Sequence, residues 1–346
     1  MPSPLVRVLL LCVSLGLAAG CSPATDRPDA PATDATAVPP APAIEAVTFD
    51  PANRPYELAG PLVPATASMV SAWDIPKNPL TDPTLDDSPE SEQVRRGFRL
   101  FVNTPIETPR LTSSGMSCGN CHLNAGQREQ SLPLVGAAGM FPEYNNRAGI
   151  PFTLEDRIVG CFMRSEDATA HRSEQASDGS RDLPDATSPE VIALASYVRW
   201  LSDGYVPGEN PPWRKQNRIE KEHLIPVDRL DTVRGEALYT EHCVQCHAAD
   251  GTGVQIADKK AGPLWGPGSW NDGAGAARTY TLAGMIRFMM PYLNPGILTD
   301  EEAQHIAAYI TSQFRPEYPY KDQDYLIETI PVDAVYYGDR AGRLDK

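Results

Sequence analysis

Apolar residues recur at helical spacing in two widely separated stretches. In "SPEVIALASYVRWL", Val191, Leu194, Ala195, Val198 and Leu201 share one face, behind Ser188 as N-cap and Pro189 at the first helical position. In "TDEEAQHIAAYI", Ala303, Ile306, Ala307 and Ile310 repeat that spacing behind a capping box from Thr299 to Glu302. A shorter helical start lies upstream of each: "RRGFRLF" with Gly97, and "VRGEALY" with Gly235. The pattern predicts two helical units, and 34 prolines disfavour long regular sheets.

The remaining strong apolar run, Val8 to Leu17, follows Arg7 and precedes small residues ending at Cys21. That layout predicts a secretory signal over 1–20, too short to span a membrane as a helix. Its "LAAGC" ending resembles a bacterial lipoprotein box, with Cys21 as the lipid-modified first residue. Ala18 stands where such boxes usually carry an aliphatic residue, which keeps cleavage without lipidation as the alternative. Residues 21–64 are rich in Pro, Ala, Thr and Asp and are expected to form an extended, disordered tether. These features place the protein in the periplasm as a lipoprotein that meets the membrane only through its N-terminus. At 346 residues the chain has room for two cores, and a net charge of -15 argues against nucleic acid and anionic lipid as partners.

Cysteine usage then names a chemistry. Of seven cysteines, Cys12 and Cys21 belong to export, and four form "CGNCH" (Cys118, Cys121, His122) and "CVQCH" (Cys243, Cys246, His247). Each pentapeptide is a c-type haem attachment motif, because two thiols three positions apart reach two vinyl groups and the adjoining histidine faces the iron. A zinc site or two disulfides would not require a histidine after both pairs. Downstream, "PLVG" (Pro133 to Gly136) parallels "PLWG" (Pro263 to Gly266), with the proline expected to offer its carbonyl to the proximal histidine. The reading is an all-α chain of two tandem cytochrome c-type domains, 65–215 and 216–315, each with a haem-bearing N-terminal helix. An irregular C-terminal extension, 316–346, completes it, and two covalent haem c groups are implied.

The repeat also assigns the lone thiol. Met290, which precedes Pro291, lies 24 residues beyond Gly266, and Cys161 lies 25 beyond Gly136. His122 and Cys161 are therefore the expected iron ligands of the first haem, and His247 and Met290 those of the second. Met163 and His171 are rivals at the first site, and Met289 at the second. A thiolate lowers the reduction potential and a thioether raises it, so electrons are expected to run from the first haem to the second. Arg147, Arg157 and Arg164 cluster near Cys161 in sequence. Either they neutralise Glu143, Glu155, Asp156, Glu166 and the haem propionates, or they form a cationic pocket for a small sulfur oxyanion.

The run "FPEYNNRAGIPFTLEDRIVGCFMRS", with "CGNCH" before it and "MMP" after the second motif, resembles the dihaem thiosulfate dehydrogenases, or tetrathionate synthases, from about Glu90 to Gln313. The resemblance implies coupling of two thiosulfates to tetrathionate, reversible in principle, with a soluble or membrane-bound cytochrome as electron acceptor. It places that family's axial cysteine on Cys161 and its active-site arginines and serine on Arg147, Arg157 and Ser165. The chain has "RSEDA" where that family commonly has "RSMNG", so Glu166 is expected to add negative charge near the anion pocket. It has Met289 where some members carry a competing lysine. The competing readings are an electron carrier without chemistry and a sulfur transferase resembling the SoxAX cytochromes. "WNDGAGAAR" is expected to be a flexible loop, and the tail from Tyr318 to pack over a domain without chemistry.

Overall fold

A computed structural model describes residues 62, 63, 65, 75–169, 183–256 and 259–343. The expected signal, most of the tether and His171 lie outside the described residues. In the first half, α1 (Pro89–Val102) and α2 (Thr104–Glu107) precede the short helices α3 (Cys118–Cys121) and α4 (Leu123–Gly126). A two-stranded antiparallel hairpin follows, β1 (Glu143–Asn145) with β2 (Ile150–Phe152), then α5 (Leu154–Arg164) and α6 (Pro189–Leu201). The second half runs α7 (Thr232–His242), α8 (Val244–His247), a minimal hairpin β3 (Gln255–Ile256) with β4 (Lys259–Lys260), α9 (Thr279–Met289) and α10 (Asp300–Thr311).

Each half is built on one close helix crossing. A Cβ on Gly97 would overlap the Ala193 carbonyl of α6 and lie 2.8 Å from Tyr197 Cβ. A Cβ on Gly235 would overlap the His305 carbonyl of α10 and lie 2.9 Å from Tyr309 Cβ. Only glycine lets the backbones approach this far. Around the first crossing Phe98, Phe101, Val191, Leu194 and Tyr197 form the core; around the second Tyr239, Ile306, Ala307 and Ile310 do. The five apolar positions read on α6 and the four on α10 are all buried.

The α10 capping box is present, with Thr299 N–H donating to Glu302 (2.8 Å) and Glu302 N–H to Thr299 Oγ1 (3.2 Å). Ser188 is the N-cap of α6 by position, but its hydroxyl does not cap the helix. It accepts from the Asp185 N–H at 2.9 Å instead, because Pro189 at N1 removes one donor and Asp185 offers another nearby.

Three expectations are corrected. The attachment motif directly follows the long helix only in the second half, where Cys243 is the C-cap of α7; in the first, residues 103–117 separate α1 from Cys118. The globule starts before residue 65: Leu62 and Val63 are buried, and the Val63 N–H donates to Gln127 O at 2.6 Å. The "WNDGAGAAR" segment is a buried seam, since Trp270, Asn271, Ala274 and Ala277 are each under 4% exposed. Asn271 ties it to the first half through Arg164 O (3.0 Å), Met163 O (2.9 Å) and Asp167 Oδ1 (2.9 Å).

The extension packs its own small cluster of Tyr325, Ile330, Ala334 and Tyr337. From it Asp333 receives Arg278 Nη2 at 2.7 Å and the Tyr280 N–H at 3.1 Å, which caps α9.

Candidate haem sites and the Cys161 pocket

On α3, Ser117 and Asn120 form a capping box that fixes the turn bearing Cys118 and Cys121. His122 follows as its C-cap, with Nδ1 2.6 Å from the carbonyl of Leu132. His247 ends α8 with Nδ1 3.1 Å from Gly262 O. In both halves the orienting carbonyl belongs to the residue before the proline, not to Pro133 or Pro263 as the sequence suggested. Proline has no N–H and a fixed φ, so it turns the preceding carbonyl toward the ring. Nδ1 is thereby engaged and Nε2 is left as the metal-facing nitrogen. Burial lowers the pKa of both rings, against the hydrogen bond to the carbonyl, and Arg157 lowers that of His122 further. A neutral imidazole is the form that ligates.

Burial raises the Cys118 thiol, followed by the Glu166 carboxylate and, opposed by Thr104, by Cys161. The same three groups push Cys121 up to about 12. Two thiols on one turn, with an oriented imidazole next to them, suit haem c in each half. Once thioether bonds form, these sulfurs no longer titrate. Cys161 is the one further thiol that acts electrostatically on both members of the first pair. Among the described residues, no group of three or more His, Cys, Asp and Glu side chains converges as a metal site.

Helix α5 explains how the thiol comes to face that motif. Thr153 and Asp156 cap its start, with Asp156 N–H donating to Thr153 Oγ1 at 3.1 Å. Leu154, Ile158 and Phe162 pack toward the core and α6. Arg157, Cys161 and Arg164 then fall on the adjoining stripe at i, i+4 and i+7. In the second half, Met289 is 2% exposed within the core, while Met290 is half-buried at the extended C-cap of α9.

The halves touch where their attachment sites are. Asn120 Nδ2 donates to Lys260 O at 2.8 Å, two residues before Gly262, and Met116 Sδ would lie 2.9 Å from a Cβ on Gly262. The backbone that orients His247 therefore rests on the first attachment helix.

Comparison with known proteins supports this arrangement. A family model described as SoxA/TsdA, cytochrome c domain, matches residues 108–206, and one described as Cytochrome c matches 232–314. The thiosulfate dehydrogenase of Allochromatium vinosum is 35% identical over 265 residues, covering 73% of this chain and 90% of that protein. The chain belongs to the thiosulfate dehydrogenase family. The protein so named from Stutzerimonas stutzeri is 35% identical, covering 66% of this chain and 69% of its own. A solved structure, thiosulfate dehydrogenase (TsdBA) from Marichromatium purpuratum in its as-isolated form, matches with a TM-score of 0.58 at 34% identity and covers 69% of this chain. The chain spans 50% of the length of that structure's chain. As a member of this family it is an all-α cytochrome with two covalently attached haem c groups.

Within that family frame, the three arginines near Cys161 have separate fates. None pairs with Glu143, Glu155, Asp156 or Glu166. Glu143 takes Arg214 and Glu155 takes Arg199, while Asp156 caps α5. Arg164 forms a two-point pair with Asp324 of the extension (2.9 and 2.7 Å), and Arg147 stands 4.0 Å from the same carboxylate. Arg157 is exposed and has no hydrogen-bond or ion-pair partner among the described residues. The Ser165 hydroxyl likewise has none, and the Ser165 N–H donates to Cys161 O at 2.7 Å. Asp324 lies 160 positions beyond Arg164, and nothing local in the sequence pointed to it.

Glu166 is corrected too. It is 3% exposed and turned away from solvent, accepting from Thr112 Oγ1 and Ser114 Oγ at 3.2 Å each, with Cys118 Sγ at 3.8 Å. Burial pushes its carboxyl up to about 7, against those hydrogen bonds. Thr112 and Ser114 lie in the segment that separates α1 from α3, so the extra residues of the first half supply this carboxyl's hydroxyl partners.

Proposed function

We propose that the protein oxidises two thiosulfates to one tetrathionate at the Cys161 side of the first haem and passes the electrons to an external cytochrome. The observation that carries this reading is the α5 stripe: a half-buried thiol that acts electrostatically on both thiols of the first attachment motif, with an arginine unpaired among the described residues one turn before it and the Ser165 hydroxyl one turn after. In this reading His122 and Cys161 ligate the first iron, and His247 and Met290 the second. Arg157 and Arg147 bind the anionic sulfonate groups, and Ser165 donates to a sulfonate oxygen. Holding two dianions together offsets a repulsion that makes coupling slow in water.

The Cys161 thiolate bonds to the terminal sulfur of one thiosulfate, giving a Cys–S–S–SO₃⁻ adduct and releasing two electrons. The terminal sulfur of a second thiosulfate then attacks the outer sulfur, forming tetrathionate and returning the thiolate. Accepting those two electrons, one at each iron, is the chemistry the haems supply. Run backwards, the same steps reduce tetrathionate. Ferricyanide reduction by purified holoenzyme should consume two thiosulfates per tetrathionate formed. Electron transfer without tetrathionate, or sulfur passed to a carrier protein, would favour the carrier or the transferase instead.

The same reading puts the protein in the periplasm, held by a lipid on Cys21. Among the described residues no helix is long and apolar enough to cross a membrane. Cys21→Ala should move the protein from the membrane fraction to the soluble fraction; an unchanged distribution contradicts the anchor.

A further inference from the structure

The C-terminal extension reaches the thiosulfate pocket. Asp324 is 4% exposed and accepts from both terminal nitrogens of Arg164 and from the Tyr337 hydroxyl. Its neighbour Tyr325 donates its backbone N–H to Arg147 O at 2.7 Å and sets its hydroxyl 3.5 Å from Arg147 Nε. Tyr318 lies against the Arg164 guanidinium, 3.9 Å from ring centre to charge. The Tyr144 hydroxyl of β1 donates to Glu328 at 3.1 Å, and Ile327 packs against Gly149. Across the seam, Gly273 O accepts from Nη1 of both Arg147 and Arg164. Residues 318–328 thus grip the hairpin turn that carries Arg147 and the end of α5 just past Cys161.

Two half-buried guanidiniums side by side repel each other, and Asp324 is the anion that offsets this. They are not held equally. Arg164 is committed to its two-point pair. Arg147 meets that carboxylate only at 4.0 Å, its Nε and Nη1 are taken by Tyr325 and Gly273 O, and its Nη2 has no partner among the described residues. Burial opposes the charge on Arg147, and Tyr325, Asp324 and Tyr337 together outweigh it, keeping the guanidinium firmly protonated. We propose that Asp324 is a positioning residue: by locking Arg164 and restraining Arg147, it holds one free edge of the Arg147 guanidinium ready for a sulfonate oxygen. This rests on the reading that Arg147 binds thiosulfate.

The test compares kcat and KM for thiosulfate in holoenzyme carrying Asp324→Asn, Asp324→Glu and Tyr337→Phe, with the first-haem absorption spectrum and thermal midpoint recorded for each. Asp324→Asn should lower kcat about tenfold without lowering KM, as expected of a misplaced binding group, and Asp324→Glu should restore most of the loss. Tyr337→Phe keeps the charge and should cost a smaller factor in kcat, which carries the test if Asp324→Asn fails to fold or load haem. A KM that falls at constant kcat would mean that Asp324 only screens charge, and wild-type kinetics in Asp324→Asn or Tyr337→Phe would likewise overturn the role. Wild-type holoenzyme that forms no tetrathionate would sink the thiosulfate reading itself, whereas active wild type with equally active variants would sink only the positioning role.

Discussion

In the first half α1 meets α6 at Gly97, and in the second α7 meets α10 at Gly235, each glycine set against a carbonyl and the Cβ of a tyrosine. Both histidines are oriented by the carbonyl of the residue before a proline. Around this shared frame the distal segments diverge. Cys161 sits within α5, where the helix backbone sets its direction, while Met290 is the extended residue that ends α9. The first half adds residues 103–117, a buried carboxyl at Glu166 and a grip from the extension on Arg147 and Arg164. Burial and Cys246 alone raise Cys243, with no carboxylate contributing. The frame is thus reused for holding haem, and the proposed chemistry is added by segments outside it.

The comparison breaks most sharply at the sulfur. Cys161→Met should cut thiosulfate turnover by at least about 10³-fold, as loss of a nucleophile does, and make the first haem's electron paramagnetic resonance signal resemble the second's. Met290→Ala should change only the second haem's signal; a change at the first would show the ligand assignment to be wrong.

Next in size are the crossings. Gly97→Ala and Gly235→Ala should each destabilise by about 3 kcal/mol, since the added methyl meets backbone that cannot yield. A large cost at one site and none at the other, in denaturant titrations of the holoenzyme, would show the halves to be unequally packed.

Glu166 distinguishes the halves by pH. Burial pushes its carboxyl from the ordinary value of 4.5 up to about 7, so the folded state binds the proton more tightly and stability falls as pH rises through that window. Glu166→Gln should therefore be more stable than wild type by up to about 3 kcal/mol at pH 8, shrinking to about 1 kcal/mol by pH 5. A wild type that gains stability over the same range would show the carboxyl to be ionised in the fold.

The smallest effect separates two arginines of one half. Arg157→Met should lower kcat/KM roughly tenfold with stability changed by less than about 0.5 kcal/mol, because nothing in the fold depends on it. Arg147→Met should lower both, since Gly273 and Tyr325 lose a partner. Equal thermal midpoints for the two variants would remove this distinction.

Local pattern carried the helices that close each half and the two attachment motifs, because each depends on spacing within one turn or on a repeat. The unequal burial of Met289 and Met290, the fate of the three arginines and the burial of Glu166 were not legible. They depend on which side of a helix end meets the core, and on Asp324, Gly273 and Ser114, residues tens to more than a hundred positions away. Sequence by itself determined where two haem c groups can attach. Tertiary structure decided which charges stay free to act, since a charge's availability is set by what is packed against it, and that packing comes from distant parts of the chain.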